Sequence, residues 1–293
     1  MQIALATDDR YALACGVCIT SILENNRSED VHIFVLASGL SEVNRRRFSL
    51  LEENYGRKIE LVDVSDSVFE GLKVSRRFPK SIYYRLMLPE LLSCSKVIYL
   101  DCDIIVDGDL TPFWETEITD FAAVVVEDQW SDDIRIHNRI RRDGKYFNSG
   151  VMLFNLDYWR AASLSDKCIA FLHDNPQICK YPDQDAMNCV IGDDVKYTDY
   201  RFNFQANMFE KKEALMLHYS KWEELEKWKV SPVVIHYTGM IKPWYEESTH
   251  PMNDRFVKYK SKSPWKAVPQ CKYYGIKENC GRLVQNIKNK LFG

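Results

Sequence analysis

The chain has 293 residues and 46% of them are hydrophobic, so it can bury a sizeable core and is not expected to be disordered. Its net charge of -3 is unevenly distributed, because the segment from Val257 to Gly293 carries nine Lys or Arg residues against one acid while the preceding body is acidic. This charge distribution argues against broad nucleic-acid binding. Charged residues also interrupt every apolar stretch before it reaches the roughly 20 residues that span a bilayer.

The amino-terminal and cysteine patterns favour a cytoplasmic protein. The opening run from Met1 to Asp9 lacks a basic leader and is too short in its apolar part for export, so it is expected to be a strand. The nine scattered cysteines indicate reduced thiols. Cys15 and Cys18 form a C-x-x-C without a second pair, and core packing explains them better than a metal site does.

Over the first half of the chain, short β-rich runs alternate with longer amphipathic segments, which is typical of a parallel sheet with crossover helices. The predicted strands are Ile3 to Thr7, His32 to Leu36, Ile59 to Val64, Lys96 to Leu100, Phe121 to Val126 and Pro232 to His236. The predicted helices are Tyr11 to Asn25, Ser41 to Tyr55, Ser81 to Leu92, Asp157 to Asp174 and Gln184 to Val190. Ser41 is the expected N-cap of the second helix.

Two pairs of acids directly follow predicted strands, where the carboxyl ends of a parallel sheet face a ligand crevice. Asp8 and Asp9 follow the first strand, and Asp101 and Asp103 follow the fourth. Two adjacent carboxylates repel each other unless a cation or hydrogen bonds offset them, so a hard divalent ion such as Mn²⁺ or Mg²⁺ is the simplest explanation. The stretch does not fit a calcium-binding EF-hand, because Ile and Val occupy its fifth and sixth positions.

A late cluster supplies complementary groups for such a site. His236 ends an apolar strand, and Gly239 and Lys242 follow within seven residues. Imidazole completes a Mn²⁺ site made of carboxylates, and the lysine can reach a phosphate as a point charge. The chain has neither a P-loop nor a dinucleotide fingerprint, so the pattern indicates a mononucleotide site built from acids, a metal and a lysine.

Seven landmarks in order over roughly residues 1 to 250 resemble the retaining glycosyltransferases of family 8, especially bacterial lipopolysaccharide galactosyl- and glucosyltransferases, with glycogenin more distant. The landmarks are Ala6-Thr7-Asp8-Asp9, Ile82-Tyr83-Tyr84-Arg85-Leu86, Val97 to Asp103, Tyr146 to Val151, Tyr181-Pro182-Asp183-Gln184-Asp185, Arg201-Phe202-Asn203 and His236 to Trp244. The resemblance implies one Rossmann-like, nucleotide-sugar-binding α/β domain (type A glycosyltransferase fold) over residues 1 to 256, with a basic, partly helical tail over residues 257 to 293.

The resemblance also implies a role for each site residue. Asp101, Asp103 and His236 would coordinate Mn²⁺, with Mg²⁺ as the alternative, against the diphosphate of a UDP-sugar. Uridine would be held by Ala6, Asp8 and Tyr11, and the phosphates by Gly239 and Lys242. The donor sugar would be surrounded by Arg85, Asp128, Asn148, Asp183 and Gln184, of which Asp183 and Gln184 are the predicted catalytic residues. Arg10 stands where many family members have Asn, which predicts altered contacts to the nucleotide.

The implied reaction moves a hexose from a UDP-sugar to a glycan or glycolipid acceptor, as in lipopolysaccharide or other cell-surface glycan synthesis. A neutral Gln184 is a poor nucleophile, which favours front-side attack over double displacement. The alternatives are a catalytically silent nucleotide-sugar-binding protein of the same fold and a nucleotidyltransferase. The stretch from Arg282 to Phe292 has apolar residues at helical spacing beside basic ones, which predicts either an amphipathic helix on the anionic inner membrane surface or a helix docked on the body.

Overall fold

The computed structural model describes residues 1–75, 78–128, 140, 145–210 and 222–273. Within them the chain forms a seven-stranded sheet and a smaller three-stranded sheet. The strands are β1 (Gln2–Asp8), β2 (His32–Ser38), β3 (Ile59–Asp63), β4 (Lys96–Leu100), β5 (Ile104–Val106), β6 (Ala123–Glu127), β7 (Phe147–Asn155), β8 (Val195–Thr198), β9 (Phe204–Gln205) and β10 (Val234–His236). This arrangement confirms the predicted α/β fold.

The described helices cover both faces of the large sheet. They are α1 (Ala12–Asn25), α2 (Glu42–Tyr55), α3 (Leu88–Leu91), α4 (Thr111–Trp114), α5 (Leu156–Ala161), α6 (Leu164–Asp174), α7 (Pro182–Ile191), α8 (Trp222–Lys229) and α9 (Asn253–Lys262). The Ser41 side chain accepts a hydrogen bond from Asn44 N–H, which confirms it as the N-cap of α2. Cys15 and Cys18 are buried thiols in α1, as expected for core packing.

Two predicted helices differ from the structure. The segment predicted as a helix from Ser81 to Leu92 is a 3-10 helix at Lys80–Met87 followed by the short α3, which begins beside Pro89. The helix predicted from Asp157 to Asp174 is divided into α5 and α6 by Ser163, whose φ of 50° lies in the left-handed region and interrupts the helical path.

The large sheet has the order β3-β2-β1-β4-β7-β6-β8. Strands β1, β2, β3 and β4 are parallel, but β7 lies antiparallel between β4 and β6. The five strands predicted over the first half of the chain therefore all run in the same direction, as expected, while β7, for which the sequence predicts no strand, enters between β4 and β6 in the opposite direction. Because β7 runs in the opposite direction, its amino end lies at the edge of the sheet where β1 and β4 have their carboxyl ends.

The smaller sheet has the order β5-β10-β9 and lies next to that edge. Its middle strand pairs antiparallel with β5, so that His236 is opposite Ile104. It pairs in parallel with β9, so that His236 is also beside Gln205. This pairing fixes the position of His236 relative to the loop that joins β4 to β5.

The first part of the basic segment packs on the body. Helix α9 crosses the predicted domain boundary after residue 256, and Trp265 lies buried with its ring against Gly16 of α1 and Phe48 of α2. The Trp265 indole N–H donates to Asn44 Oδ1 over 3.1 Å. The predicted amphipathic helix from Arg282 to Phe292 lies outside the described residues. Across the described part of the chain, no helix combines the length and the apolar character that crossing a bilayer requires.

Candidate active site

The acids predicted to lie at strand ends are brought to one edge of the large sheet. Strands β1 and β4 are direct neighbours, so Asp8 at the end of β1 and Asp101 after β4 lie on the same edge. Backbone hydrogen bonds fix the loop after β4, since Asp101 N–H donates to Gly150 O over 2.8 Å and Tyr237 N–H donates to Asp103 O over 2.9 Å. The loop is thereby held to both β7 and β10.

Asp101, Asp103 and His236 form a cluster in which one ligand atom of each residue lies within 4.8 Å of the others. His236 Nε2 lies 3.3 Å from Asp103 Oδ1. Two carboxylates and an imidazole form a donor set that suits a divalent transition metal. The structure therefore brings the three predicted ligands close enough together to hold a metal ion.

The Asp101 carboxylate is oriented by two buried side chains. Arg85 Nη2 lies 2.7 Å from Asp101 Oδ1, and the Tyr99 hydroxyl donates to the same oxygen over 3.0 Å. Arg85 is 3% exposed, and its guanidinium lies 4.4 Å from the centre of the Tyr99 ring. With Oδ1 engaged twice, Oδ2 is the oxygen of Asp101 that remains for a metal.

The Asp103 carboxylate is held by Lys242 and lies beside His236. Lys242 Nζ donates to Asp103 Oδ2 over 2.5 Å and to Tyr237 O over 2.7 Å. Burial alone would raise the pKa of Asp103, but Lys242 and His236 outweigh it and keep this pKa well below its usual value. Asp103 is consequently ionised, as a metal ligand has to be.

Gly150 on β7 leaves the space that the two ligands of the cluster occupy. A Cβ at this position would lie 2.3 Å from His236 Cε1 and 2.8 Å from Asp101 Oδ2. Any other residue would therefore push both ligands away from each other. The absence of a side chain at Gly150 is an independent feature that fits a metal held between Asp101 and His236.

The residues predicted to surround the donor sugar lie together beside this cluster. Asn148 Nδ2 donates to Gln184 Oε1, and Gln184 Nε2 donates to Asp128 Oδ2, each over 3.2 Å. Asp183 Oδ2 lies 3.2 Å from Arg85 Nε. Burial raises the pKa of Asp183 to about 6, although the Arg85 charge opposes the shift. Arg85 thus connects the Asp183 carboxylate with the Asp101 carboxylate of the cluster.

The residues predicted to bind the nucleotide lie along the adjacent side of the cluster. Cys102 Sγ contacts Ala6 O over 3.1 Å, which joins β1 to the loop after β4. Burial raises the pKa of Tyr11, and the charge of the nearby Asp103 adds to the shift. Gly239 has a φ of 100°, which a side chain would disfavour, and it provides the turn between His236 and the lysine.

Arg10, which departs from the family pattern, lies directly against Asp8. Arg10 Nη2 lies 2.8 Å from Asp8 Oδ2, while Asp8 Oδ1 accepts the backbone N–H groups of Arg10 and Tyr11. A cavity of about 450 Å³ opens beside this pair and is also lined by Lys80 and Tyr84. Its size is within the usual range for a small-molecule site.

Several residues of the site were not assigned a role from the sequence. Tyr99 and Gly150 contact or make room for the metal ligands, and Asn203 Oδ1 lies 2.9 Å from His236 Nδ1. Gly150 and Asn203 belong to landmark motifs, so their positions were available as a signal, but their contacts depend on which strands are neighbours. Tyr99 also belongs to a landmark motif, but its position within a strand does not indicate that its hydroxyl contacts Asp101.

Comparisons with known proteins agree with this geometry. Residues 2–248 match the model of Glycosyl transferase family 8. General stress protein A of Bacillus subtilis (strain 168) is 28% identical over 92% of this chain and 96% of its own. A lipopolysaccharide 1,2-glucosyltransferase of Escherichia coli is 30% identical over 92% of this chain and 80% of its own.

A solved structure of the galactosyltransferase LgtC, in complex with donor and acceptor sugar analogs, superimposes with a TM-score of 0.81 at 28% identity. The match covers 92% of this chain and 98% of that one. The family model, the relatives and the shared fold all lead to the same assignment. The chain belongs to glycosyltransferase family 8 and is a sugar-transferring enzyme.

Proposed function

We propose that this enzyme transfers a hexose, glucose or galactose, from a UDP-sugar to a glycan or glycolipid acceptor with retention of configuration and dependence on Mn²⁺. The observation that carries the proposal is the cluster of Asp101, Asp103 and His236 with Lys242 directly against it. Relatives named as a lipopolysaccharide glucosyltransferase and a lipopolysaccharide galactosyltransferase support a hexose as the transferred group. In this proposal Mg²⁺ is the alternative metal.

The leaving group is stabilised by charge. Breaking the anomeric bond leaves negative charge on UDP, and a bound Mn²⁺ would supply Lewis-acid stabilisation of that diphosphate. Lys242, whose side chain is 13% exposed, would add a point charge to the phosphates, with Gly239 allowing the backbone to approach. Ala6, Asp8 and Tyr11 would hold the uridine beside them.

The side chains around the sugar favour front-side attack. Gln184 Oε1 accepts the Ser149 N–H over 3.0 Å and the Asn148 amide over 3.2 Å, so its oxygen is fixed in place. Asp183 is paired with Arg85, and Asp185 is fully buried and accepts the backbone N–H groups of the two residues before α7. A double displacement needs an available carboxylate nucleophile, whereas Gln184 can steady positive charge on the sugar without forming a bond.

The direct test is a panel of UDP-glucose, UDP-galactose and UDP-N-acetylglucosamine with Mn²⁺, in which UDP release and the anomeric configuration of the product are measured. We expect release from at least one hexose donor, loss of release on chelation of the metal, and a retained anomer. Activity that is unchanged after metal removal, or release of pyrophosphate instead of UDP, would contradict the proposal. A sugar bonded covalently to Asp183 or Asp185 during turnover would contradict front-side attack.

Matched variants on either side of β5 localise the effect. Asp101→Asn and Asp103→Asn, in the loop before β5, each remove a proposed metal ligand and should abolish metal-dependent turnover. Asp109→Asn changes an exposed carboxylate in the segment after β5, whose Oδ1 accepts Thr111 N–H, and should retain activity. Equal loss in all three variants would show that the segment as a whole, rather than the cluster, is being tested.

We also propose that the basic segment beyond Tyr273 binds an anionic membrane surface, where lipid-linked acceptors are found. A basic residue close to an anionic leaflet contributes about 1 kcal/mol. Because Trp265 and Val268 pack on the core, the test is truncation after Tyr273, which leaves that packing intact. Truncation should abolish co-sedimentation with anionic vesicles while UDP release in solution persists, and unchanged co-sedimentation would contradict the proposal.

A further inference from the structure

Asn203 connects the metal ligand His236 to the side chains on the sugar side of the site. It is fully buried, its Oδ1 lies 2.9 Å from His236 Nδ1, and its Nδ2 lies 2.9 Å from Asn148 Oδ1. Both ends of its amide are therefore engaged by side chains of the site. Asn203 ends the Arg201-Phe202-Asn203 motif, to which the proposed function assigns no role.

Backbone groups determine which way each amide faces. The backbone N–H of Gly150 donates to one atom of the Asn148 amide over 3.0 Å, so that atom is the oxygen. Because this oxygen faces Asn203, Asn203 presents its NH₂ group there and turns its own oxygen toward His236. A carbonyl oxygen only accepts, so His236 Nδ1 carries a hydrogen and Nε2 is the ring nitrogen directed at the metal position.

The same donor-to-acceptor direction continues through the side chains proposed to surround the donor sugar. The backbone N–H of Ser149 donates to Gln184 Oε1, which identifies that atom as the oxygen and allows it to accept from Asn148 Nδ2. Gln184 Nε2 in turn donates to the Tyr146 hydroxyl over 3.1 Å, and that hydroxyl donates to Asp185. In each of these hydrogen bonds the donor is the residue nearer to His236. The last acceptor is the buried Asp185 carboxylate, which can only accept when ionised.

We propose that Asn203, Asn148 and Gln184 form an amide relay in which Asn203 is a positioning residue. Its oxygen fixes the tautomer and ring orientation of His236 for metal binding, and its NH₂ group fixes Asn148 and, through it, Gln184. This inference rests on the proposed function, because it assigns the two ends of the relay to metal and donor sugar. A buried network in which both ends of each amide are engaged favours one arrangement, whereas one lost partner leaves a buried polar group unpaired.

The two ends of Asn203 can be separated by substitution. Asn203→Asp keeps an oxygen toward His236, as in the carboxylate–histidine–metal arrangement, but places an acceptor against Asn148 Oδ1 and breaks the relay at that link. Asn203→Ala removes both ends. Asn26→Ala is the matched control, since Asn26 is 2% exposed and its amide bonds Ile22 O and Leu110 N–H at the end of α1.

Metal binding is measured without donor sugar, by the loss of the free Mn²⁺ signal in electron paramagnetic resonance, at a temperature where every variant is folded. Asn203→Ala should weaken Mn²⁺ binding about 10- to 100-fold. Asn203→Asp should bind Mn²⁺ within about threefold of the wild type but lower kcat for UDP release by about tenfold or more with little change in KM. Asn26→Ala should lower the free energy of unfolding without changing either quantity.

Wild-type Mn²⁺ affinity in Asn203→Ala would overturn the role of Asn203 toward His236. Wild-type kcat in Asn203→Asp would overturn the coupling to Gln184. Failure of the proposed function is distinguishable from both. If the wild type binds Mn²⁺ and Asn203→Ala does not, but the wild type releases no UDP from any hexose donor, hexosyl transfer is contradicted while the role of Asn203 toward His236 is supported.

Discussion

Replacing Gly150 by alanine tests whether the metal site depends on the space that this residue leaves on β7. The added Cβ would lie 2.3 Å from His236 Cε1, 2.8 Å from Asp101 Oδ2 and 3.0 Å from Asn148 Oδ1. Carbon atoms in contact are normally about 3.5–4.0 Å apart, so the imidazole ring has to move by roughly 1 Å or more. This displacement is several times the tolerance of about 0.2 Å in metal–ligand distances.

Two quantities should change in this variant, and by different amounts. Mn²⁺ affinity should fall about 10- to 100-fold, the range observed when the support of a metal ligand is lost. The free energy of unfolding should fall by about 1–3 kcal/mol, which is the usual cost of overpacking a well-packed site. UDP release at saturating metal should fall as well, because Asn148 is displaced together with the ligands.

The measurements are Mn²⁺ titration followed by electron paramagnetic resonance, and denaturant unfolding of the same preparations. Gly56→Ala is the control, because Gly56 ends α2 with a φ of 59° and open space around its Cβ position. Alanine there costs about 1–2 kcal/mol of backbone strain without touching the site. A Gly150→Ala variant that loses stability like Gly56→Ala but binds Mn²⁺ like the wild type would refute the reasoning.

Three further outcomes are expected from single substitutions. Lys242→Ala should lower kcat/KM about 10- to 100-fold, because a hydrogen bond to a charged group contributes about 1.5–3 kcal/mol. Its Mn²⁺ affinity should stay the same or rise, and a parallel loss of Mn²⁺ binding would contradict a phosphate role for Lys242. Burial lowers the pKa of His250 to about 4, so the free energy of unfolding should fall by up to roughly 3 kcal/mol as the pH drops from about 6.5 to about 4. His250→Gln should flatten that dependence in pH-resolved unfolding, and an unchanged slope would contradict the assignment. Arg10→Asn should free Asp8 from its ion pair and tighten UDP binding, measured by calorimetry, up to about fivefold. The limit follows because the Arg10 side chain is 63% exposed and its ion pair contributes at most about 1 kcal/mol. Weaker binding would show that Arg10 itself contacts the nucleotide.

Much of the sheet and the metal cluster could be predicted from the sequence because the signals are local. The strands that contain Ile3 and Val97 are apolar runs followed directly by acids, so their type and the edge they face follow from pattern alone. His236 could be assigned as a ligand because the apolar strand, the glycine and the lysine follow a recognisable order. Neither prediction needs knowledge of which strands are neighbours.

The contacts that support the site could not be predicted because they depend on pairing between distant segments. Asn148 and Gly150 lie at the start of β7, and a search for polar residues after strands overlooks a strand that runs the other way, so Asn148 is assigned only through the family resemblance. The resemblance assigns Arg85 to the sugar alone, although its guanidinium also orients Asp101 from 16 residues away in sequence. These contacts arise only after the antiparallel strand enters the sheet.

The antiparallel strand also joins the proposed metal half of the site to the proposed sugar half. Gly150 O accepts the N–H of Asp101, and Gly150 N–H donates to Asn148 Oδ1, so one residue of β7 holds a metal ligand on one side and a sugar-side amide on the other. A change on β7 should therefore alter metal affinity and turnover together. Lys242 lies on a separate loop after β10 and contacts Asp103, so a change there should alter the leaving-group contribution while the contacts between β7 and Asp101 stay in place.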